Sequence, residues 1–250
     1  MNRYVNRIII GLVLLLTSSF TIEHSFPVSQ KHPGGNLVIQ LKLTFDGKPF
    51  LLDRRDFVTP HGDTVEFDQL RFYLGDFAFS GTDEKTRSKK GYVLVDAADS
   101  RSWSIHFNQL EAGDFNQVDF NIGVDSLTQI SNNMYDALDP IHGMYWAWNS
   151  GYIDAKLQGK SAACNTLHHA FEFHIGGYQA PFNACRRISL PVKNLQITAN
   201  QTSTLQIVAD VSAWFNTPNR IDLSKMNEIV LPGKEAMMMA DNYRNMFSVD

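Results

Sequence analysis

Apolar and polar residues alternate along short stretches of this chain, and that repeat constrains the fold more than any other feature. Leu37, Ile39, Leu41 and Leu43 face one way, while Val38, Gln40, Lys42 and Thr44 face the other. A period of two fits a strand with one buried face and does not fit a helix. Asp46-Gly47 closes that run as a hairpin turn. Val118, Phe120 and Ile122 alternate with Asp119, Asn121 and Gly123, and Phe171-Glu172-Phe173-His174-Ile175 alternates until Gly176-Gly177. The aromatic run Leu70–Phe79, the stretch Met144–Leu157, and Ile188–Val192, Leu195–Thr198 and Thr204–Val208 supply further strands. Ser126–His142, with Asn132, Asn133, Asp136 and Asp139-Pro140, reads as a long loop. Only the tail has helical spacing: Met239, Tyr243 and Met246 recur at i, i+4 and i+7, with Phe247 widening the stripe. The pattern predicts an all-β chain, an antiparallel β-sandwich with long loops and a short C-terminal helix.

The first residues read as an address. Arg3 and Arg7 precede an apolar run from Ile8 to Leu16, followed by Thr17, Ser18 and Ser19. The run falls short of the roughly 20 residues that span a bilayer. A basic flank, a short apolar run and small polar residues describe a secretory signal peptide over residues 1–21. Residues 22–250 show no linker and no fixed-period repeat, so they are expected to form one domain. The mature protein is expected to be periplasmic or secreted and not membrane-spanning.

Composition narrows the function classes. Charged residues make up 19% and aromatics 12% of the 250 residues, enough apolar surface to build a core and exclude wholesale disorder. The net charge of -4, with no long basic run, argues against an electrostatic grip on nucleic acid. There is no nucleophile elbow, no His-Glu-x-x-His and no phosphate-binding glycine loop, so no enzymatic activity is expected. Cys164 and Cys185 flank one strand-and-turn unit. An oxidising compartment favours a disulfide between them, and two buried thiols are the alternative.

Several blocks together resemble the MbnP-like family. They are Arg71-Phe72-Tyr73-Leu74-Gly75-Asp76-Phe77, the run Val118–Asp125, Asp139-Pro140 with Gly143–Tyr152, Phe171–Gly177, and Ala240–Phe247. The Trp-x-Trp-Asn-Ser-Gly-Tyr and Phe-x-Phe-His-Ile-Gly segments carry most of the specificity. The resemblance implies an exported, mostly β protein that handles metal, with an envelope redox or metal-handling partner. Some members from methanotrophs hold copper(I) through two histidines and a tryptophan oxidised to kynurenine by a dihaem enzyme. This sequence has no Trp-x-His, so the modified-tryptophan site does not carry over to a residue here.

Copper(I) accepts imidazole and thioether ligands. His174 lies on a strand in one family block, and His142 and Met144 sit two apart before another. If those strands are neighbours, the three side chains converge on a soft, low-coordinate copper site. Trp146 and Trp148, also two apart, form a candidate redox or stacking platform. Other candidates are His168-His169, His106 with Trp103, and Met237-Met238-Met239. A calcium set of Asp119, Asp125, Asp136 and Asp139 is a further candidate. Core, turn and surface roles compete with each of these. The alternative function is an exported interaction or structural protein without metal.

Overall fold

The computed structural model describes residues 34–131, 134–148 and 151–250. The expected signal peptide lies outside the described residues, as do residues 22–33. Among the described residues, no helix is long and apolar enough to cross a membrane.

The chain is mainly β. Its principal strands are β1 (Gly34–Phe45), β2 (Thr64–Gly81), β3 (Thr86–Asp96), β4 (Ser104–Glu111), β5 (Gly113–Ile122) and β6 (Gly151–Lys160). They continue as β7 (Ala170–Gly176), β8 (Arg186–Ile197), β9 (Thr202–Asp210), β10 (Glu228–Ile229) and β11 (Phe247–Val249). The smaller sheet runs β11-β9-β1, with β4 on the far edge of β1. The larger runs β8-β5-β2-β6-β7-β10, with β3 along the free edge of β2. The alternation seen in the sequence points inward. Leu37, Ile39, Leu41 and Leu43 from one sheet pack with Leu70, Phe72, Phe120, Phe171 and Phe173 from the other in one buried core.

Among the described residues, two pairings are parallel, β1 with β9 and β7 with β10. The sandwich is therefore mixed rather than wholly antiparallel. Alternation marks which face of a strand is buried but says nothing of the direction of its neighbour.

β2 is 18 residues long and takes two partners along one edge. Glu66–Phe72 pair with β6, and from Leu74 onward the strand pairs with β5. At the changeover, Gly123 N–H donates to Tyr73 O, and Val124 N–H donates to Asp154 Oδ1 at 2.8 Å. Gly123 has φ +95, and a Cβ there would meet the Asp154 side chain at 2.7 Å. Glycine is required at this position both for the left-handed backbone and for the close approach.

The C-terminal helix spans Lys234–Tyr243. Met239, Tyr243, Met246 and Phe247 are all buried, as their stripe predicts. Met246 and Phe247 nevertheless lie beyond the helix, and Phe247 opens β11 against β9. A short apolar stripe cannot distinguish a continued helix from a turn into a strand when both lead to the same core.

Candidate functional site

One row across the larger sheet brings four charged or titratable side chains together. Asp96 lies opposite Arg71, Arg71 opposite Lys156, and Lys156 opposite His174. Residues directly opposite each other share a face. Here it is the outer one, since the flanking Phe72, Ala155, Leu157, Phe173 and Ile175 fill the core.

The 134–148 segment folds over that face and is held there by its carbonyls. Arg71 Nη1 donates to His142 O at 3.0 Å, and its Nε pairs with Asp96 at 2.7 Å. Lys156 Nζ donates to Gly143 O at 2.6 Å. Burial, and then the Arg71 charge, hold the Lys156 ammonium below its usual range.

His174 is half-buried, and its Nε2 lies 2.8 Å from Gln158 Nε2. Burial first, and the Lys156 charge second, lower its pKa to about 4. The imidazole is therefore neutral at physiological pH, with a lone pair to offer. In this arrangement the Gln158 amide donates to His174 Nε2. Turning the amide over would let its oxygen accept an Nε2 proton and leave Nδ1 as the basic nitrogen.

His142 and Met144 reach the same side of the sheet but take other partners. His142 Nε2 lies 3.0 Å from Asp136 O. Met144 is fully buried in a small cluster with Tyr73, Val124, Leu138, Trp146, Tyr152 and Ile153. The Trp146 ring covers Gly176, where a Cβ would approach it to 2.9 Å. Its centroid is 5.7 Å from that of Trp148. The strand here is only Tyr145–Trp146, so Trp148 lies past its end, yet the two rings touch. Trp146 is buried, and Trp148 is 62% exposed.

The remaining candidates have ordinary partners. Asp125 caps the one-turn helix Ser126–Gln129 through Leu127 N–H and Thr128 N–H, Asp139 caps Ile141 N–H, and Asp119 binds Gln117. His169 Nδ1 meets Cys164 O at 3.0 Å, and His106 is exposed on β4. Trp103 Nε1 donates to Asp96 O. Met239 is buried, and Met237 packs at the edge of the core. Among the described residues, the group of three His, Cys, Asp or Glu with ligand atoms mutually within 4.8 Å is Asp53, Glu66 and Asp68. Arg55 and Lys160 already pair with its members Glu66 and Asp68.

The expected disulfide is not formed: Cys164 and Cys185 are free thiols. Cys164 N–H bonds Ser161 O just past the end of β6, while Cys185 follows Ala184, whose N–H bonds Gly177 O past the end of β7. Antiparallel β6 and β7 hold these points at opposite ends of β7, about 20 Å apart at 3.3 Å per residue. A bridge needs Cα atoms within about 7 Å.

Sequence reasoning passed over Arg71, Lys156, Gln158 and Asp154. Strand registry reveals the first three. Asp154 has a signal of its own, an acid in an otherwise apolar strand start. It is fully buried, and its Oδ2 has no hydrogen-bond partner among the described residues. Desolvation pushes its carboxyl well above the ordinary 3.8. The folded protein then binds a proton that the unfolded chain releases, so stability falls as pH rises above about 4. Asp154→Asn should remove that cost. The stability gap between variant and wild type should open by about 1.4 kcal/mol per pH unit until Asp154 itself ionises. Urea unfolding between pH 4 and 8 measures it, and a gap that stays constant would show Asp154 to be ionised in the fold.

A family model described as MbnP matches residues 34–238. The solved structure "MbnP from Methylosinus trichosporium" aligns over 80% of this chain and 82% of its own, with a TM-score of 0.50 and 14% identity. At that identity the likeness concerns the fold. No curated protein matches significantly.

Proposed function

Because the chain belongs to the MbnP family, we propose that it is an exported envelope protein that binds or carries copper(I), with His174 as a ligand. The neutral, half-buried imidazole of His174 supports this reading most directly. A ligand nitrogen that need not lose a proton binds metal without competition from acid. His142 or Met144, carried over the same face by the 134–148 segment, would complete a soft set.

The donor chemistry suits copper(I). Imidazole and thioether are neutral and soft, and the Lys156 ammonium opposite His174 repels a divalent ion twice as strongly as a monovalent one. In this reading Arg71 and Lys156 position the segment through His142 O and Gly143 O, and Trp146 and Trp148 cover one side. Bound copper would be cargo handed to or taken from a redox or metal-handling partner, and the protein itself would perform no catalysis.

A second reading rests on the partners already taken. The His142 ring meets Asp136 O and Met144 is wholly buried, which suits an exported interaction protein that keeps the fold without metal. Copper(I) titration of untagged protein under reducing conditions separates the two. Wild type should bind, and His174→Ala should bind at least about tenfold more weakly. Equal binding by both proteins would remove His174 from the site, and no binding by either would favour the second reading.

A further inference from the structure

Farther along β2, the register slips against both β3 and β5 beside Asp76. Gly75 pairs with Tyr92 and Asn121, but the pairings then resume at Phe77 with Lys89 and at Ala78 with Asp119. Against β5, Asp76 and Phe77 together face Phe120; against β3, Asp76 faces Lys90 and Gly91. Asp76 has φ +50. Such bulges bend a strand and re-aim a side chain. Next to this one lies a cavity of about 480 Å³, whose walls include Asp76, Lys90, Tyr92, Asp125 and Arg187, with Leu127 as apolar surface. That volume suits a small ligand.

The charged groups differ in how far they are committed. Asp125 accepts from Leu127 N–H, Thr128 N–H and Thr128 Oγ1, and also bonds the Tyr92 hydroxyl. Asp76 is met by Asn121 Nδ2 at a long 3.4 Å, while the neighbouring Tyr92 hydroxyl gives its proton to Asp125. Arg187 spends one Nη on Asp76 O at 2.7 Å and on Asn121 Oδ1 at 3.2 Å. Lys90 is exposed at the rim.

We propose that this cavity binds a compact α-amino-acid zwitterion, with its ammonium on Asp76 and its carboxylate between Arg187 and Lys90. A simple anion would face two carboxylates, and a metal cation would face Lys89, Lys90 and Arg187. A ligand carrying both charges satisfies both walls. Burial, and then the charge of Asp125, raise the Asp76 carboxyl against the opposing pull of Arg187 and Lys90, so an arriving ammonium would take over the compensation of Asp76 as the ligand carboxylate engages those two cations. Leu127, exposed beside the cavity, offers apolar contact to a small side chain.

The test is calorimetric titration of the full protein with glycine, leucine and lysine, and with 3-methylbutylamine and 4-methylpentanoate as single-charge controls. At least one amino acid should bind saturably, with each single-charge control at least tenfold weaker. Asp76→Asn should weaken binding at least tenfold. Asn accepts positive φ readily, so this variant keeps the bulge, and an unchanged thermal unfolding curve checks that. Lys90→Ala, at an exposed position, should weaken binding several-fold. Absence of saturable binding by all three amino acids overturns the proposal. So does a control that binds as well as leucine, or an Asp76→Asn variant with wild-type affinity.

Discussion

Phe67→Ala should destabilise the protein by roughly 3–5 kcal/mol, the range for deleting a fully buried ring. Phe67 is wholly buried. Its ring centroid lies 5.0 Å from Phe50, 5.4 Å from Phe45, 5.7 Å from Phe57, 6.0 Å from Phe171 and 6.1 Å from Phe215. These rings come from β1, from the segment after it, from β7 and from the turn after β9. One truncation therefore loosens contacts among four parts of the chain at once. The opposite residue on β6 is Gly159, where a Cβ would strike the Phe171 ring at 2.6 Å. The rings leave no slack in which the cavity could collapse, which puts the cost at the upper end. Phe67→Leu, keeping more volume, should lose much less. Urea unfolding measures both, and a loss below about 1 kcal/mol for Phe67→Ala would contradict the ring cluster.

Asn242→Ala should cost about 3 kcal/mol or more, through hydrogen bonds rather than volume. Asn242 is fully buried on the C-terminal helix. Its Nδ2 donates to Trp214 O at 2.8 Å and to Asn219 O at 2.6 Å, and its Oδ1 accepts from Asn219 N–H at 2.8 Å. Removing the amide orphans two carbonyls and an N–H, each worth about 1–3 kcal/mol when buried unpaired. Asn242→Asp keeps the shape but turns a carboxylate oxygen toward two carbonyl oxygens. It should be no more stable than the alanine variant at neutral pH. Stability of Asn242→Asp equal to wild type there would refute the donor role.

The two kinds of residue differ in how well the sequence reveals them. Period two places Phe173 and Ile175 inward and His174 outward, and the structure agrees, because strand geometry alone sets that alternation. The same reasoning read Met144–Leu157 as strand without distinguishing Asp154 from an ordinary outward polar residue. Its burial arises where β2 exchanges one partner for another, a feature of long-range pairing. Arg71 and Lys156 failed to stand out for a related reason, since a basic residue in a strand reads as solvated until the registry sets it against a histidine. The cysteines show the limit of reasoning from compartment. Oxidising conditions decide whether a bridge is favoured, but the length of β7 decides whether it can form. The helical stripe was correct in burial and wrong at its end, because Met246 and Phe247 reach the same core by way of a turn and a strand.

The parallel union of β1 with β9 has a kinetic consequence. Asn36 pairs with Thr202, and Thr44 with Asp210, so the smaller sheet joins the two ends of the chain. Loop closure of that length costs entropy before any contact compensates for it, and topologies of high contact order fold slowly. Until the last fifth of the polypeptide is available, β1 lacks its long parallel neighbour and presents a strand edge backed by Leu37, Ile39, Leu41 and Leu43. During synthesis, that edge is exposed to self-association until its neighbour arrives.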